Sequence, residues 1–306
     1  MYYIGIDLGG TNIAVGVCDE SGNILYCTSA KTNAAQPFEG LVSDIANAVL
    51  LLLKAHSLTM SDIAAVGMGT PSCIDPKSGL LVNANNLGWR NVPLYDEMKK
   101  HFDVPVFIQN DAACAVLGEM KLGAAKGFEN VLMVTLGTGV GGGIILYSRL
   151  WNGCDNMGAE IGHTKLVFGG RKCSCGQRGC LEQYASATAL IRQYNEVSDE
   201  MVASAKEVFD RADSVEALAK KVVEQYISYL SAGLSTLIAV FRPQLILIGG
   251  GVSARGEKLL SPLREQLMQD TFSADLIGIP EIRAAALGND AGIIGAAMLC
   301  RQEDFV

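Results

Sequence analysis

Apolar residues along the chain occur either in short unbroken runs, which predict buried strands, or at intervals of three to four residues, which predict helices. The first run, Tyr2 to Asp7, leads into a glycine-rich stretch, and a second run covers Ile13 to Cys18. This order predicts a β-hairpin whose tip contains Gly9 and Gly10. Backbone N–H groups at such a tip can approach a phosphate, although an ordinary glycine turn is the alternative.

Polar side chains at this first glycine tip extend the phosphate interpretation. Thr11 and Asn12 add side-chain donors directly after the glycines. Asp7 ends the first predicted strand, and a carboxylate at that position could hold a hydrated magnesium ion.

The next elements alternate between helix and strand. Helical spacing from Leu41 to Leu52 predicts a helix that ends near His56. A strand from Ile63 to Gly69 then opens into the loop 70–75, and such strand ends are where α/β proteins bind ligands. The following loop offers hydrogen-bonding groups and one aromatic face suited to a polyhydroxylated ligand: Asn83, Asn85, Asn86 and Trp89. His56 and His101 are predicted to be surface residues.

Asp111 lies where a short strand, Pro105 to Gln109, gives way to helical spacing from Cys114 to Gly123. Its side chain could cap the helix. The alternative is a carboxylate that faces a cleft, where it can accept a proton or orient a hydroxyl group.

The second half of the chain repeats the opening order of strand, glycine tip and strand. Val131 to Thr135 precedes the glycine-rich stretch 136–143, and the apolar run Ile144 to Tyr147 follows. Aligning 7–11 with 135–139 predicts two related halves facing one cleft, and the absence of an aspartate from the second tip leaves metal binding to the first. Gly137, Gly139 and Gly142 also fit a dinucleotide-binding fingerprint, but that fingerprint requires a helix next.

The C-terminal part reads as helices around one buried strand. Helical spacing from Ser186 to about Ala239 is stopped by Pro243, and the strand Gln244 to Ile248 follows. That strand runs into the glycines 249–251, against which a flat base could lie, with a tight strand-to-helix turn as the alternative. Ala291 to Cys300 predicts a helix of small residues suited to close packing.

Composition limits the class of protein. The 306 residues are 49% hydrophobic and 18% charged, which is typical of a soluble globular protein with room for two domains. The net charge of −8 disfavours a nucleic-acid or anionic-membrane surface. Met1 directly precedes an apolar strand, so we expect no signal peptide, no N-terminal accessory domain and a cytoplasmic location. Nine cysteines without a regular framework suit a reducing compartment.

Four metal-binding side chains occur close together: His163, Cys173, Cys175 and Cys180. One imidazole and three thiolates make a full tetrahedral shell for zinc. A shell filled by protein leaves no open position for water, so such an ion should stabilise a loop rather than perform chemistry. A disulfide, or ordinary buried cysteines, are the alternatives.

In its motifs and their order the chain resembles the ROK family of bacterial sugar kinases and sugar-responsive repressors. The matching segments span nearly the whole chain: 7–11 (DLGGT), 69–71 (GTP), 110–111 (ND), 136–143 (LGTGVGGG), 160–163 (EIGH), 173–176 (CSCG), 179–182 (GCLE) and 249–252 (GGGV). After the motif 69–71, the family commonly has a glycine, whereas this chain has Ser72.

The resemblance implies an actin-like (ribonuclease H-like) two-domain α/β ATPase fold with an interdomain cleft for ATP and a hexose. It implies an N-terminal domain of 1–115 joined by a helix at 288–306, and a larger domain of 116–287 that holds the zinc loop. Asp111 would be the catalytic base. The implied sugar ligands are Gly69, Asn86, Asn110, Asp111, Glu160, His163 and Glu182. The implied nucleotide ligands are Asp7, Gly9, Gly10, Thr11, Asn12, Gly137, Thr138, Gly139, Gly250 and Gly251.

The resemblance further implies transfer of phosphate from ATP, with Mg²⁺ at the phosphates and structural Zn²⁺, in a homodimer. The stretch 181–186 (LEQYAS) resembles the glucokinase branch, so the 6-hydroxyl of glucose is the expected acceptor. N-acetylmannosamine, N-acetylglucosamine, fructose or mannose are the alternative sugars. A sugar-responsive repressor is the alternative from another class, although repressors carry a DNA-binding module that we do not expect here. A catalytically inactive sugar-binding protein would be expected to lack Asp111 or a phosphate tip.

Overall fold

The computed structural model describes residues 1–72, 74–75 and 77–301, without the side chain of Asn85. Cys73, which belongs to the predicted ligand loop, lies outside the described residues. So do 302–306, the end of the predicted C-terminal helix.

The described strands are β1 (Tyr2–Leu8), β2 (Asn12–Cys18), β3 (Ile24–Lys31), β4 (Ile63–Thr70), β5 (Leu81–Ala84), β6 (Trp89–Val92), β7 (Val106–Asn110), β8 (Val131–Leu136), β9 (Val140–Leu146), β10 (Arg149–Leu150), β11 (Leu245–Gly249) and β12 (Glu281–Ala284). The described helices are α1 (Phe38–Ala55), α2 (Leu94–Lys99), α3 (Asp111–Leu122), α4 (Glu182–Ala185), α5 (Ala187–Asn195), α6 (Ala205–Asp213), α7 (Ala217–Phe241), α8 (Glu257–Asp270), α9 (Ala274–Ile277) and α10 (Asp290–Met298).

The first five-stranded sheet has the order β3-β2-β1-β4-β7. β1 pairs antiparallel with β2, which confirms the predicted hairpin. β1 also pairs in parallel with β4, and β4 with β7, so the carboxyl ends of these three strands share one edge. Apolar side chains from the sheet and from α1 form a buried core that includes Ile4, Ile6, Val49 and Met68.

The segment predicted as a loop is instead a second hairpin, so the predicted loop conformation and its aromatic face were wrong. Asn83 belongs to β5 and Trp89 to β6, which pair antiparallel. The indole of Trp89 is only 4% exposed and packs edge-on against the ring of Phe38. Burial of this large apolar ring stabilises the core, so Trp89 does not offer a face to a ligand.

The second five-stranded sheet repeats the order of the first, as β10-β9-β8-β11-β12. In the first sheet Asp7 is the register partner of Gly69, and in the second Thr135 is the register partner of Gly249. The alignment of Asp7 with Thr135 therefore holds in the hydrogen-bonding register, which confirms two related halves. β9 follows the glycine tip, so the segment that a dinucleotide fingerprint would need as a helix is a strand.

Helix α10 packs unusually close to the first sheet because glycines face it. A Cβ on Gly5 would lie 2.0 Å from the Ile293 carbonyl oxygen, and one on Gly67 would lie 1.8 Å from that of Ala296. On the helix itself, a Cβ on Gly295 would lie 1.6 Å from the Cys114 carbonyl oxygen. The predicted close packing of this small-residue helix is confirmed.

The chain divides into two compact units. The first contains Met1–Glu129, Gly143–Ala159 and the chain from Ala286 onward, and the second contains Asn130–Gly142 and Glu160–Ala285. The expected domain boundaries near 115 and 288 stay a prediction. None of the helices in the described part of the chain combines the length and apolar character that crossing a membrane requires.

Candidate functional site

In the first unit, several predicted site residues lie at the shared carboxyl edge of β1, β4 and β7. Asp7 is opposite Gly69 across the β1–β4 pair, and Thr70 is opposite Asn110 across the β4–β7 pair. Gly69 also lies against α3, because a Cβ there would be 3.5 Å from the Asp111 Cα. The topology thus gathers residues that are about 100 positions apart in sequence, since parallel strands end at the same edge.

A buried thiol, that of Cys114, lies beside Gly69, the register partner of Asp7. Burial raises the pKa of the Asp7 carboxyl from 3.8 to about 6. Burial raises the pKa of the Cys114 thiol well above its usual value, and the charges of Asp7 and Asp111 raise it further. Cys114 was not predicted as part of this site, and its apolar helical spacing gave no signal of it.

Asn110, rather than Asp111, caps α3. The Asn110 Oδ1 accepts hydrogen bonds from the backbone N–H of Ala112 at 2.9 Å and of Ala113 at 3.2 Å. Asp111 is the first helical residue, and its Oδ1 accepts from Ala112 N–H at 2.7 Å. The capping alternative for Asp111 was therefore wrong in position by one residue, because Asn110 has the extended backbone that a cap requires.

Two hydrogen bonds fix the backbone of the first glycine tip. Gly9 N–H donates to the Asn12 carbonyl at 2.9 Å, and the Thr32 hydroxyl donates to the Gly9 carbonyl at 2.7 Å. Thr11 and Asn12 are exposed. Asn86 lies beside the tip, because a Cβ on Gly10 would be 3.1 Å from the Asn86 Cβ. A predicted sugar ligand and a predicted phosphate tip therefore adjoin each other.

In the second unit, two glycine-rich segments meet. Gly137 N–H donates to the Gly139 carbonyl at 3.1 Å across the second tip, where Thr138 is exposed. Gly250 has φ +76°, and a Cβ there would lie 2.5 Å from the Leu136 carbonyl oxygen, so both its backbone conformation and its packing require glycine. A Cβ on Gly251 would meet nothing within 4 Å. This leaves open space beside the tip.

The predicted metal ligands come together. The ligand atoms of His163, Cys173, Cys175 and Cys180 all lie within 4.8 Å of one another. The Cys173 Sγ is 3.7 Å from the His163 Nδ1, and the Cys175 and Cys180 Sγ atoms are 3.7 Å apart. Tetrahedral zinc with these donors has ligand-to-ligand edges of about 3.5–3.8 Å. The chemistry and the spacing of these donors therefore fit a zinc ion, with His163 binding through Nδ1.

Two polar side chains around this cluster were not predicted. The Lys165 ammonium donates to the Cys180 Sγ at 3.5 Å, and the Gln183 amide donates to the Cys173 Sγ at 3.8 Å. Three thiolates around a divalent ion leave one negative charge, which a nearby ammonium can offset. The only sequence signal was that Lys165 follows His163 by two positions and that Gln183 follows the predicted ligand Glu182.

Glu182 connects the metal cluster to the second glycine tip. Its Oε1 accepts from the Cys173 thiol at 3.8 Å, and its Oε2 accepts from the Val140 N–H at 3.2 Å. A Cβ on Gly139 would lie 2.3 Å from the same Oε2, so glycine is needed where the carboxylate approaches. Glu160 is exposed and directly precedes the short 3-10 turn Ile161–His163. The predicted site residues of the first unit thus lie together at the edge of its sheet, and those of the second unit lie together around the second glycine tip and the metal cluster.

Comparison with known proteins agrees with these motifs. A family model described as ROK family matches residues 3–303. A glucokinase of Halalkalibacterium halodurans is 38% identical over 99% of this chain and 96% of its own length. A glucokinase of Thermotoga maritima is 36% identical over 98% of this chain and 97% of its own length.

Among solved structures, a ROK family glucokinase from Streptomyces griseus in complex with glucose and AMPPNP is similar, with a TM-score of 0.85 and 35% identity. The match covers 99% of this chain and 100% of the Streptomyces griseus chain. This likeness confirms the predicted actin-like α/β fold.

Proposed function

Because the chain belongs to the ROK family, we propose that it is an ATP-dependent glucokinase that phosphorylates the 6-hydroxyl of glucose. The full-length likeness to glucokinases of three bacteria supports a sugar kinase with this substrate. The observation in the molecule that carries the proposal is the placement of Asp7 and Asp111 around Gly69 at the carboxyl edge of the first sheet.

Asp111 is the proposed catalytic base. Its place at the start of α3 fixes the carboxylate at the strand-to-helix junction, where it can accept the proton of a sugar hydroxyl. As the sugar oxygen forms a bond to the γ-phosphorus, the bond from that phosphorus to the β,γ-bridging oxygen breaks and ADP leaves. The proton passes from the sugar hydroxyl to Asp111 and then to solvent. The transition state is loose, so position matters more than base strength.

The two glycine tips are the proposed phosphate ligands. Glycine at these positions would let phosphate oxygens approach the backbone closely, and Thr11, Asn12 and Thr138 are exposed beside it. Asp7 would hold a hydrated magnesium ion, which neutralises charge on the phosphates. The open space at Gly251 is where the base of ATP would lie.

The metal cluster would hold zinc as a structural ion. His163 uses Nδ1 toward the cluster, which leaves Nε2 for a sugar hydroxyl. Glu160, Glu182 and Asn86 are the other proposed sugar ligands, together with Gly69 and Asn110. Magnesium binding, a homodimer and a cytoplasmic location stay predictions from the sequence.

The proposal is tested by an ATP-coupled assay with glucose, N-acetylglucosamine, N-acetylmannosamine, fructose and mannose, with metal content measured on the same sample. We expect glucose to give the highest kcat/KM and zinc to be present at one ion per chain. A higher value for an N-acetylhexosamine would change the assigned substrate. Absence of turnover with every sugar, together with sugar-dependent DNA binding, would favour the repressor function.

Replacing the proposed base tests its role directly. Asp111→Asn keeps an oxygen that can accept from Ala112 N–H but cannot accept a proton, so we expect turnover to fall at least about 100-fold. Asp103→Asn, at an exposed position shortly before β7, is the matched control and should leave turnover unchanged. Wild-type turnover by the Asp111→Asn protein would remove the assignment.

A further inference from the structure

Three amide side chains in the first unit form a connected group that no motif contains. The Gln109 Nε2 donates to the Asn156 Oδ1 at 2.8 Å, and the Asn152 Nδ2 donates to the same oxygen at 3.1 Å. Gln109 is 1% exposed and Asn152 is 8% exposed. We call Gln109, Asn152 and Asn156 the amide cluster. The donating side chains of Gln109 and Asn152 are buried, so loss of the Asn156 oxygen would leave buried donors without a partner.

At one end the amide cluster reaches the proposed catalytic junction. The Gln109 Oε1 accepts a hydrogen bond from the Asn110 backbone N–H at 2.8 Å. Asn110 in turn caps α3, and Asp111 is the next residue. The side chain of Gln109 therefore links Asn156 to the backbone that presents both predicted sugar ligands.

At the other end the cluster reaches the loop that follows β4. The Asn156 Nδ2 donates to the Ile74 carbonyl at 3.5 Å. Asn156 lies in the segment 152–158, which is closed by a hydrogen bond of 2.6 Å from Gly158 N–H to the Asn152 carbonyl. Asn156 has φ +59°, a left-handed conformation that asparagine tolerates better than most residues. One carboxamide thus joins three chain segments.

We propose that Asn156 is a positioning residue for the sugar-acceptor side of the reaction. It acts through Gln109 on Asn110 and Asp111, and through Ile74 on the loop that follows Gly69. This assignment rests on the proposed function, because it takes those residues as the ones that bind and deprotonate the sugar.

The connections of the amide cluster predict which kinetic constants depend on it. The segments that it joins carry the predicted sugar ligands Gly69, Asn110 and Asp111. The two hydrogen bonds by which the cluster reaches other segments are those with Asn110 and Ile74, and neither residue belongs to a glycine tip. Loss of the cluster should therefore weaken the use of glucose and leave the KM for ATP unchanged.

The test compares glucose and ATP kinetics of the whole protein and its Asn156→Gly variant. Glycine accepts the left-handed backbone without strain, so this change removes the carboxamide alone. We expect kcat/KM for glucose to fall about 10-fold to 100-fold, as for other misplaced catalytic groups. The KM for ATP should stay within about twofold, since uniform loss of folded protein would lower turnover without separating the two substrates.

Three further variants make the result specific. Asn156→Asp keeps an oxygen that accepts from Gln109 and Asn152 but loses the donor to the Ile74 carbonyl, so its glucose kcat/KM should lie between those of the wild type and Asn156→Gly. Gln109→Leu removes the amide that donates to Asn156. The double variant Gln109→Leu with Asn156→Gly should lose no more glucose kcat/KM than the more impaired single variant. Asn91→Gly, at an exposed residue with φ +47°, is the matched control and should not change either constant.

Equal effects of Asn156→Gly on glucose and ATP, an unchanged kcat/KM for glucose, or additive effects in the double variant would each overturn the assignment. These outcomes are distinct from failure of the proposed function, which would appear as a wild-type protein without turnover on any sugar. That result would remove the positioning role as well.

Discussion

Two carboxylates of the first unit lie in different environments. Glu119 is fully buried, and its carboxylate accepts hydrogen bonds from three backbone N–H groups, those of Ala124, Ala286 and Leu287, at 2.7–2.8 Å. Asp7 is partly buried, and this burial raises its pKa to about 6. Charge on Asp7 is therefore unfavourable in the free protein, which is the property expected of a residue that awaits a cation.

The raised pKa of Asp7 makes stability depend on pH. The folded protein holds the Asp7 proton more tightly than the unfolded chain does, so stability is lost as pH rises from about 4 to about 6. Asp7→Asn removes the buried charge and should raise the free energy of unfolding at pH 7.5 by about 2–3 kcal/mol without magnesium or nucleotide. The gain should vanish near pH 4, and turnover should be lost.

Urea denaturation of both proteins at the two pH values measures this difference. Asp103→Asn, at an exposed position, should show no gain at either pH. An Asp7→Asn protein that is less stable than the wild type at pH 7.5 would contradict the burial argument.

At the scale of elements, the spacing of apolar residues and the positions of glycine and proline predicted most strands and helices. The first hairpin, α1 and the stop of α7 before Pro243 all follow from apolar runs, helical spacing and proline. Trp89 was misassigned because an aromatic ring in a polar stretch resembles a ligand surface, whereas its contact with Phe38 depends on tertiary packing. The contact of Gln109 with Asn156 joins residues 47 positions apart and left no local pattern.

The sequence predicted those site residues that lie in the glycine tips or in a group of His and Cys residues spaced as metal ligands. The four metal ligands were identified because imidazole and thiol groups have few other reasons to cluster in a polar, glycine-rich segment. Lys165 and Gln183 were missed because lysine and glutamine are common on surfaces. Their hydrogen bonds to sulfur are visible only once the loop is folded.

The ammonium of Lys165 should help the metal loop to retain zinc. Lys165→Met keeps a long side chain but removes the charge beside Cys180, so we expect zinc affinity to fall about 10-fold to 100-fold. Competition with a chromophoric chelator measures this affinity independently of enzyme activity. Lys172→Met, an exposed lysine of the same loop, is the matched control. Equal zinc affinity in both variants would show that Lys165 contributes no stabilisation.

The contact between β4 and α10 should be intolerant of any side chain on the strand. In Gly67→Ala the new Cβ would lie 1.8 Å from the Ala296 carbonyl oxygen, and backbone cannot move aside cheaply. We expect a loss of at least about 1–3 kcal/mol in the free energy of unfolding, or no soluble protein. Gly40→Ala, inside α1, should instead gain up to about 1 kcal/mol, because alanine favours helix. Equal stability of the two variants would contradict the packing.

At the scale of the whole molecule, the same strand order occurs in both sheets, yet their chemistry has diverged. Asp7 in the first sheet corresponds to Thr135 in the second, so only the first tip has a carboxylate at this register position. The metal ligands, in contrast, all belong to the second unit. Comparable architecture therefore carries different functional groups in the two units.

The restriction of the metal ligands to one unit predicts a local response to chelation. Removal of the bound metal should increase amide hydrogen exchange in 163–182 and in α4, because the cluster closes that segment. Exchange in β1, β2 and β4 should stay the same, since these strands belong to the first unit. Mass spectrometry of peptic fragments measures both regions in one experiment. Uniform loss of protection in both units would show that the metal stabilises the entire chain.

The thiol of Cys114 has a consequence for oxidative chemistry. Peroxides and electrophiles attack the thiolate, and both the surroundings and the neighbouring negative charges keep this sulfur protonated. A cysteine can therefore lie beside the proposed reaction site with its sulfur in the less reactive, protonated form. What this position contributes is a small, polarisable side chain that packs against Gly69.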